Sequence, residues 1–446
     1  MALKHDASFK CVPRAAASSS SSSPTEYSEE LLVRVKPQQK KQRIAGIDQD
    51  ELQDPKLLAD PESCFCKFKG VQIHYKIFDA ESLAEEVTSP QDSDSTKSVG
   101  FPMILLHGFN ASTFSWNRVM EPLAQVTGSK VLAFDRPAFG LTSRVDPTNR
   151  SPTGSRDARP LNPYSIMFSV LATRYFIDVL AAEKVILVGH SAGSLVAVDT
   201  YFEAPDRVAA MVLVSPAILA PLLKQDFSKD NQRGENNKKQ EEHSNSESHR
   251  SPILRSFSML SMLAEHIAQA TMNMLKGMGH MINYPYKKAL LALLSSAIGV
   301  MLVRMMVARI GNPLFRYAWY DSNQLTDHVL QGYAKSQKVK GWDKALAEFA
   351  AAMLADSSSQ SKPQLSKRLS EISCPVLLVT GDSDRLVPPW NSRRLSQFIP
   401  GSRLEVIKNC GHLPAEETAE EFVSVVEKFL QRTFGASQEQ RLQVVT

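Results

Sequence analysis

Lys184 to Phe202 reads KVILVGHSAGSLVAVDTYF, and its hydrophobic period changes in the middle. Val185 to Val188 is a short aliphatic, partly β-branched run, the pattern of a buried strand. Leu195, Val198 and Phe202 then recur at three- and four-residue spacing, which predicts a helix. Between them stands Gly189-His190-Ser191-Ala192-Gly193, so the chain must pass from strand to helix within a few residues. Side chains at the two glycine positions of so tight a turn would collide with the neighbouring strand and helix. The turn holds the Ser191 hydroxyl out of the sheet, beside a helix N-terminus whose dipole and free N–H groups favour a developing anion. G-x-S-x-G occurs by chance, and it is the strand-turn-helix context that gives it chemical meaning.

Two further motifs complete the chemistry. Upstream, the apolar strand Met103–Leu106 ends in His107-Gly108-Phe109-Asn110. A turn there can direct the Phe109 N–H toward the same point as the Ala192 N–H, giving a two-donor oxyanion hole. Downstream, Pro375–Val379 leads into Gly381-Asp382-Ser383-Asp384-Arg385-Leu386-Val387-Pro388, and Leu404–Ile407 leads into Asn409-Cys410-Gly411-His412-Leu413-Pro414. An acid on one strand-end loop and a histidine on the next can meet Ser191 at one edge of a parallel sheet. Their chain order is Ser, Asp, His, as this kind of turn requires. His107 is a rival base, but its place at a strand end behind the hole suits a structural role better.

On HGF at 107–109, DRPAFG at 135–140, GHSAG at 189–193, GDSDRLVP at 381–388 and NCGHLP at 409–414, the chain resembles the α/β-hydrolase superfamily, in its subgroup with a helical cap after the sixth strand. The resemblance covers about residues 61–216 and 366–446. It implies an α/β fold: a mostly parallel eight-stranded sheet flanked by helices, with the cap inserted at about 217–365. It also implies the triad Ser191, Asp384 and His412, with Phe109 and Ala192 forming the oxyanion hole. Asp382 is the rival acid, with an ordinary turn aspartate as its other role. Asp135 and Arg136 are expected to fix loops through hydrogen bonds or a salt bridge. Similar haloalkane dehalogenases and epoxide hydrolases carry aspartate at the nucleophile position, so serine at 191 argues against those activities. After Met211–Val214 come Ser215 and Pro216, which leaves no acid at the alternative position after the sixth strand.

Composition sets the outer limits. With 446 residues, 43% of them hydrophobic and 22% charged, the chain can bury a large core. A net charge of +4 with scattered basic residues gives no nucleic-acid footprint. The five cysteines show no paired C-x-x-C spacing, so no metal site is expected, and the triad chemistry needs no cofactor. Residues 1–60 read as a transit peptide and disordered segment. Asp6 is the only acid before Thr25 and six serines run from Ser18 to Ser23, while the scarcity of arginine favours a plastid over a mitochondrial address; the alternative is a disordered serine-rich tail with no address, on a cytoplasmic protein.

Lys224–Arg250 is almost devoid of apolar residues and reads as a disordered loop. Ile253–Ile310 then carries nine of the fifteen methionines. A methionine-rich cap forms an adaptable pocket suited to a lipophilic ester, although the same residues could simply pack the cap's own core. Ala289–Val303, ALLALLSSAIGVMLV, is fifteen residues long, short for a bilayer span. It reads as a buried or interfacial helix that allows peripheral membrane association. The leading reading is a serine hydrolase of a carboxylic ester. The alternatives are a small-molecule receptor on the same fold, which could retain slow turnover, and a membrane-associated scaffold with an incidental pocket.

Overall fold

A computed structural model of the protein describes residues 43–44, 47–81, 99–145, 161–221, 284–356 and 365–445. Eight strands build one sheet: β1 (Cys64–Phe68), β2 (Val71–Phe78), β3 (Met103–Leu106), β4 (Val131–Phe134), β5 (Val185–His190), β6 (Val208–Val214), β7 (Val376–Gly381) and β8 (Arg403–Ile407). Their spatial order is β8-β7-β6-β5-β3-β4-β2-β1. β1 pairs antiparallel to β2 and β2 antiparallel to β4, and all other neighbours are parallel.

The central strands are apolar at consecutive positions because both faces of the sheet are covered. Ile104, Leu106, Leu132, Phe134 and Leu187 face a core shared with α2 (Ile166–Val179) and α3 (Gly193–Glu203). Met103, Leu105, Val131, Ala133 and Val188 point the other way, onto α1 (Met120–Thr127) and the C-terminal helix Ala419–Val445. The two-residue period of the strands thus divides one run of sequence between two cores. Cys64 and Cys66, two residues apart, share one face of β1, packed against the first core, and are free thiols like Cys374 and Cys410. Burial pushes the Cys66 thiol up to about 11 and those of Cys374 and Cys410 up to about 12, which keeps them protonated and unreactive.

Between β6 and β7 the described chain is helical: α4 (Tyr284–Leu294), α5 (Ala297–Ala318), α6 (Asp327–Ala334) and α7 (Trp342–Asp356). The apolar run 289–303 is not one helix. Ser296 accepts a hydrogen bond from Gly299 N–H and caps a new helix, which continues for 22 residues to Ala318. Val303 and Val307 of α5 pack with Trp342, Leu346 and Phe349 of α7 and with Ala138, Phe139 and Tyr164 of the core.

The boundary expected at residue 60 falls too late. Asp48 is buried, Leu52 packs beside the α5–α7 cluster, and the Gln53 backbone is hydrogen-bonded to Lys338 O and Lys340 N at 2.8 and 3.1 Å. Residues 47–60 are therefore part of the fold, because the inserted helices supply backbone partners that a free segment would lack. The serine-rich stretch, the 224–250 loop and residues 253–283 lie outside the described residues.

At the β5–α3 turn, a Cβ on Gly193 would run into the carbonyl of Leu106, and one on Gly189 would lie 2.7 Å from Ser194 Cα. Gly193→Ala should therefore destabilise the fold by about 2 kcal/mol, read as a lower urea midpoint at unchanged slope.

Candidate active site

The strand order brings the carboxyl ends of β3, β5, β7 and β8 to one edge of the sheet, where parallel α/β sheets place their sites. Ser191 follows β5 directly and has φ 50°, the left-handed conformation that a side-chain-bearing residue adopts at a cost of about 1–3 kcal/mol. Hydrogen bonds on both sides hold it there. Its N–H donates to Val214 O of β6 at 2.8 Å, while its carbonyl accepts from Ser194 N and Ala217 N at 3.1 and 3.2 Å. The Ser194 hydroxyl closes the turn by donating to Gly189 O at 2.7 Å.

Asp384 and His412 meet across the loops after β7 and β8. His412 Nδ1 lies 2.8 Å from Asp384 Oδ2, and both side chains are buried. The other oxygen of Asp384 accepts from Leu386 N and Val387 N, each at 2.9 Å, so the carboxylate is fixed at both ends. A carboxylate only accepts, which puts the ring proton on Nδ1 and leaves the Nε2 lone pair of His412 as the basic site. Asp382 points elsewhere: it accepts from the Ser383 hydroxyl at 2.9 Å and Cys410 N at 3.4 Å.

Among the described residues no hydrogen bond joins the Ser191 hydroxyl to His412. The two are tied through His190, whose role the sequence did not suggest. His190 Nε2 donates to His412 O at 2.8 Å, and the two imidazole centroids are 4.9 Å apart. Burial, reinforced by the neighbouring His412, pushes His190 down to about 3, so it stays neutral and serves as a clamp.

The HGFN loop passes over this turn. A Cβ on Gly108 would lie 3.1 Å from Ser191 Cβ and 3.0 Å from His190 Nδ1. Phe109 N–H and Ala192 N–H, the second at the start of α3, have no hydrogen-bond partner among the described residues. The Phe109 ring lies 5.7 Å from Phe139 and 6.0 Å from Phe349 of α7, and Phe139 and Phe349 are 4.8 Å apart. These three rings form an aromatic wall shared by the core and the inserted helices.

The remaining polar residues are occupied structurally. His107 Nε2 accepts from Arg136 N at 2.9 Å and Nδ1 donates to Gly108 O at 2.8 Å. Burial, then the Arg136 charge, pushes His107 down to about 4 and keeps it a neutral spacer. Asp135 accepts from Thr113 N, Leu141 N and His74 Nδ1 within 2.7 Å. Burial would raise its carboxyl, but His74, His107 and these bonds outweigh that and hold it well below the carboxylate range. Trp319 and Trp342 are buried packing residues, whereas Tyr320 is exposed.

Glu417 also went unnoticed in the sequence. Its carboxylate accepts from Gly411 N at 3.0 Å and Leu413 N at 3.1 Å, on either side of His412, and from Tyr320 N at 2.7 Å. His412 N in turn donates to Ala318 O at 2.8 Å. His412 is thereby gripped by both the core and the end of α5. An acid five residues after a G-H turn is the signal that could have found it.

A family model described as alpha/beta hydrolase fold matches residues 102–419, well over half the chain. The chain belongs to this family. An oxononadienedioate/oxononatrienedioate hydrolase from Pseudomonas putida is 36% identical over 112 residues, 25% of this chain and 38% of that protein. The matched stretches thus span well under half the length of that and similar relatives. A 2-hydroxy-6-oxo-6-phenylhexa-2,4-dienoate hydrolase from Comamonas testosteroni aligns more widely, at 23% identity over 75% of this chain and 88% of its own. The solved structure of Cfl2 from Burkholderia cenocepacia covers 82% of this chain and 95% of its own with a TM-score of 0.51; at 16% identity that likeness shows the fold alone.

Asp384→Asn should reduce hydrolytic kcat on the order of ten-thousandfold by allowing the wrong tautomer of His412, with Asp382→Asn close to wild type in the same assay. Beneath the His412 loop, the Tyr333 hydroxyl donates to the buried Glu416 carboxyl, which burial pushes up to about 8. A carboxyl that holds its proton longer when folded stabilises the fold below its ordinary value and loses that contribution as pH rises through about 8. The thermal midpoint of wild type should therefore fall more steeply than that of Glu416→Gln between about pH 5 and about pH 8.

Proposed function

We propose that the protein is a serine hydrolase that cleaves a lipophilic carboxylic ester through an acyl-enzyme. The observation that carries this reading is a strained, left-handed Ser191 clamped beside a histidine whose other ring nitrogen is held by a buried aspartate. Ser191 Oγ attacks the carbonyl carbon while His412 Nε2 takes the hydroxyl proton. Asp384 stabilises the imidazolium that results. The developing oxyanion is received by Phe109 N–H and Ala192 N–H. Collapse expels the alcohol, which leaves with the proton from His412. Water, deprotonated by the same nitrogen, then attacks the acyl-enzyme and releases the acid. The wall of Phe109, Phe139 and Phe349 favours an apolar acyl or alcohol group over a polar one.

A second reading is supported by the broad alignment with the Comamonas testosteroni protein, whose name gives an oxo-dienoate as its substrate. The same three residues suit hydrolysis at the ketone of such a compound, with a carbon leaving group in place of an alkoxide. A receptor with no turnover is the weaker reading, since Ser191, Asp384 and His412 are all residues able to carry the chemistry and His412 is paired with Asp384.

A fluorophosphonate probe should label the protein stoichiometrically by intact mass, and Ser191→Ala and His412→Ala should each abolish labelling. A folded wild-type chain that takes up no probe would sink the hydrolase reading. Given labelling, turnover of long-chain esters with no action on an oxo-dienoate would separate the first reading from the second.

A further inference from the structure

We infer that α4 and α5 form a docking surface for an anionic lipid bilayer, lying along it without crossing it. On α5, Ile298, Met301, Leu302, Met305, Arg309 and Arg316 recur at three-, four- and seven-residue spacings, which places them along one line of the helix. Gly299, Val303 and Val307 form the adjoining buried strip. Ile298, Met301, Met305 and Met306 are 46–58% exposed, so a contiguous apolar stripe faces away from the protein. Arg309 and Arg316 are exposed and continue that line toward the C-terminal end, and Lys288 is exposed on α4.

Charge selects the occupant. Between Tyr284 and Ala318 there are five basic residues, Lys287, Lys288, Arg304, Arg309 and Arg316, and no acidic one, in a chain whose totals are nearly balanced at 51 to 47. Among the described residues of α4 and α5, the exposed charges beside the apolar stripe are Lys288, Arg309 and Arg316, all cationic, which matches acyl chains beneath anionic headgroups.

At 22 residues, about 33 Å, α5 is long enough to span a bilayer. Its packing argues against that. The face bearing Val303 and Val307 is sealed by α7, and Arg304, on the turn between them, is held by Asp343 at 2.6 Å. Only one side is free for lipid.

Docking would place the site at the membrane. α5 ends at Ala318, whose carbonyl accepts from His412 N–H, and Tyr320 N–H then donates to Glu417, so the membrane-facing helix and the base share one junction. The surface goes beyond the catalytic reading and stands whether or not Ser191 is active.

The test is flotation of the full chain with vesicles of phosphatidylcholine alone or mixed with phosphatidylglycerol, with thermal midpoints taken in parallel to show that each variant is folded. Wild type should float with the mixed vesicles and be released by salt. Arg309→Gln with Arg316→Gln should weaken partitioning about thirtyfold. Met301→Ser with Met305→Ser should weaken it with no change in charge. Equal recovery with and without vesicles would overturn the inference, as would equal binding to neutral vesicles or undiminished binding by the arginine pair. A stable dimer that the Met301→Ser/Met305→Ser variant dissolves would overturn it too, by assigning the stripe to a second copy.

Discussion

The arrangement of the whole site depends on the left-handed turn at Ser191. A residue with a side chain does not hold φ 50° unaided, and this one is kept there because its N–H is captured by Val214 O of the next strand. That bond exists only in the register that pairs His190 of β5 with Val214 of β6. The same register runs on through β7, where Ser215 N donates to Val379 O. The strain on the serine is therefore offset by the sheet as a whole, and the loops bearing Asp384 and His412 leave the sheet at its same edge.

The second constraint is the turn containing His412. Four protein groups hold it through five hydrogen bonds: Asp384 at the ring, His190 at the carbonyl, Ala318 at the amide, and the carboxylate of Glu417 at the amides on each side. Two of these belong to the core loops and the helix after them, one to the nucleophile turn and one to the end of α5. The inserted helices are thus more than a cover, since a shift of α5 acts on the peptide unit of His412. Tyr333 on α6, hydrogen-bonded to Glu416, adds a further tie between the insertion and this turn.

A polar network behind the site makes the neighbouring loops rigid. Asp135 gathers two backbone N–H groups and His74, while His107 spaces Arg136 from the HGFN loop. Arg136 lies 5.8 Å from the Phe139 ring centre and 5.6 Å from that of Phe349, behind the aromatic wall. Charge in this layer orients the wall without reaching the nucleophile turn. Motifs rich in titratable residues can therefore lie beside a site and take no part in its chemistry.

The sequence by itself determined the sheet, the strand-turn-helix at Ser191 and the loops that carry the candidate acid and histidine. Those features are written in local period and in short motifs whose backbone geometry admits few residue types. The choice between Asp382 and Asp384 was open on residues alone, because two acids two apart on one loop differ only in where their side chains point. Tertiary structure decided it by seating Asp384 between His412 and the amides of Leu386 and Val387. His190 and Glu417 were invisible for the same reason: their partners lie on other elements or are backbone amides that carry no sequence signature. The fate of the apolar run 289–303 was decided by Ser296, which caps a helix there, and by α7, which buries only one side of it. Hydrophobic composition states that a face must be covered, and only packing shows which face the protein has left uncovered.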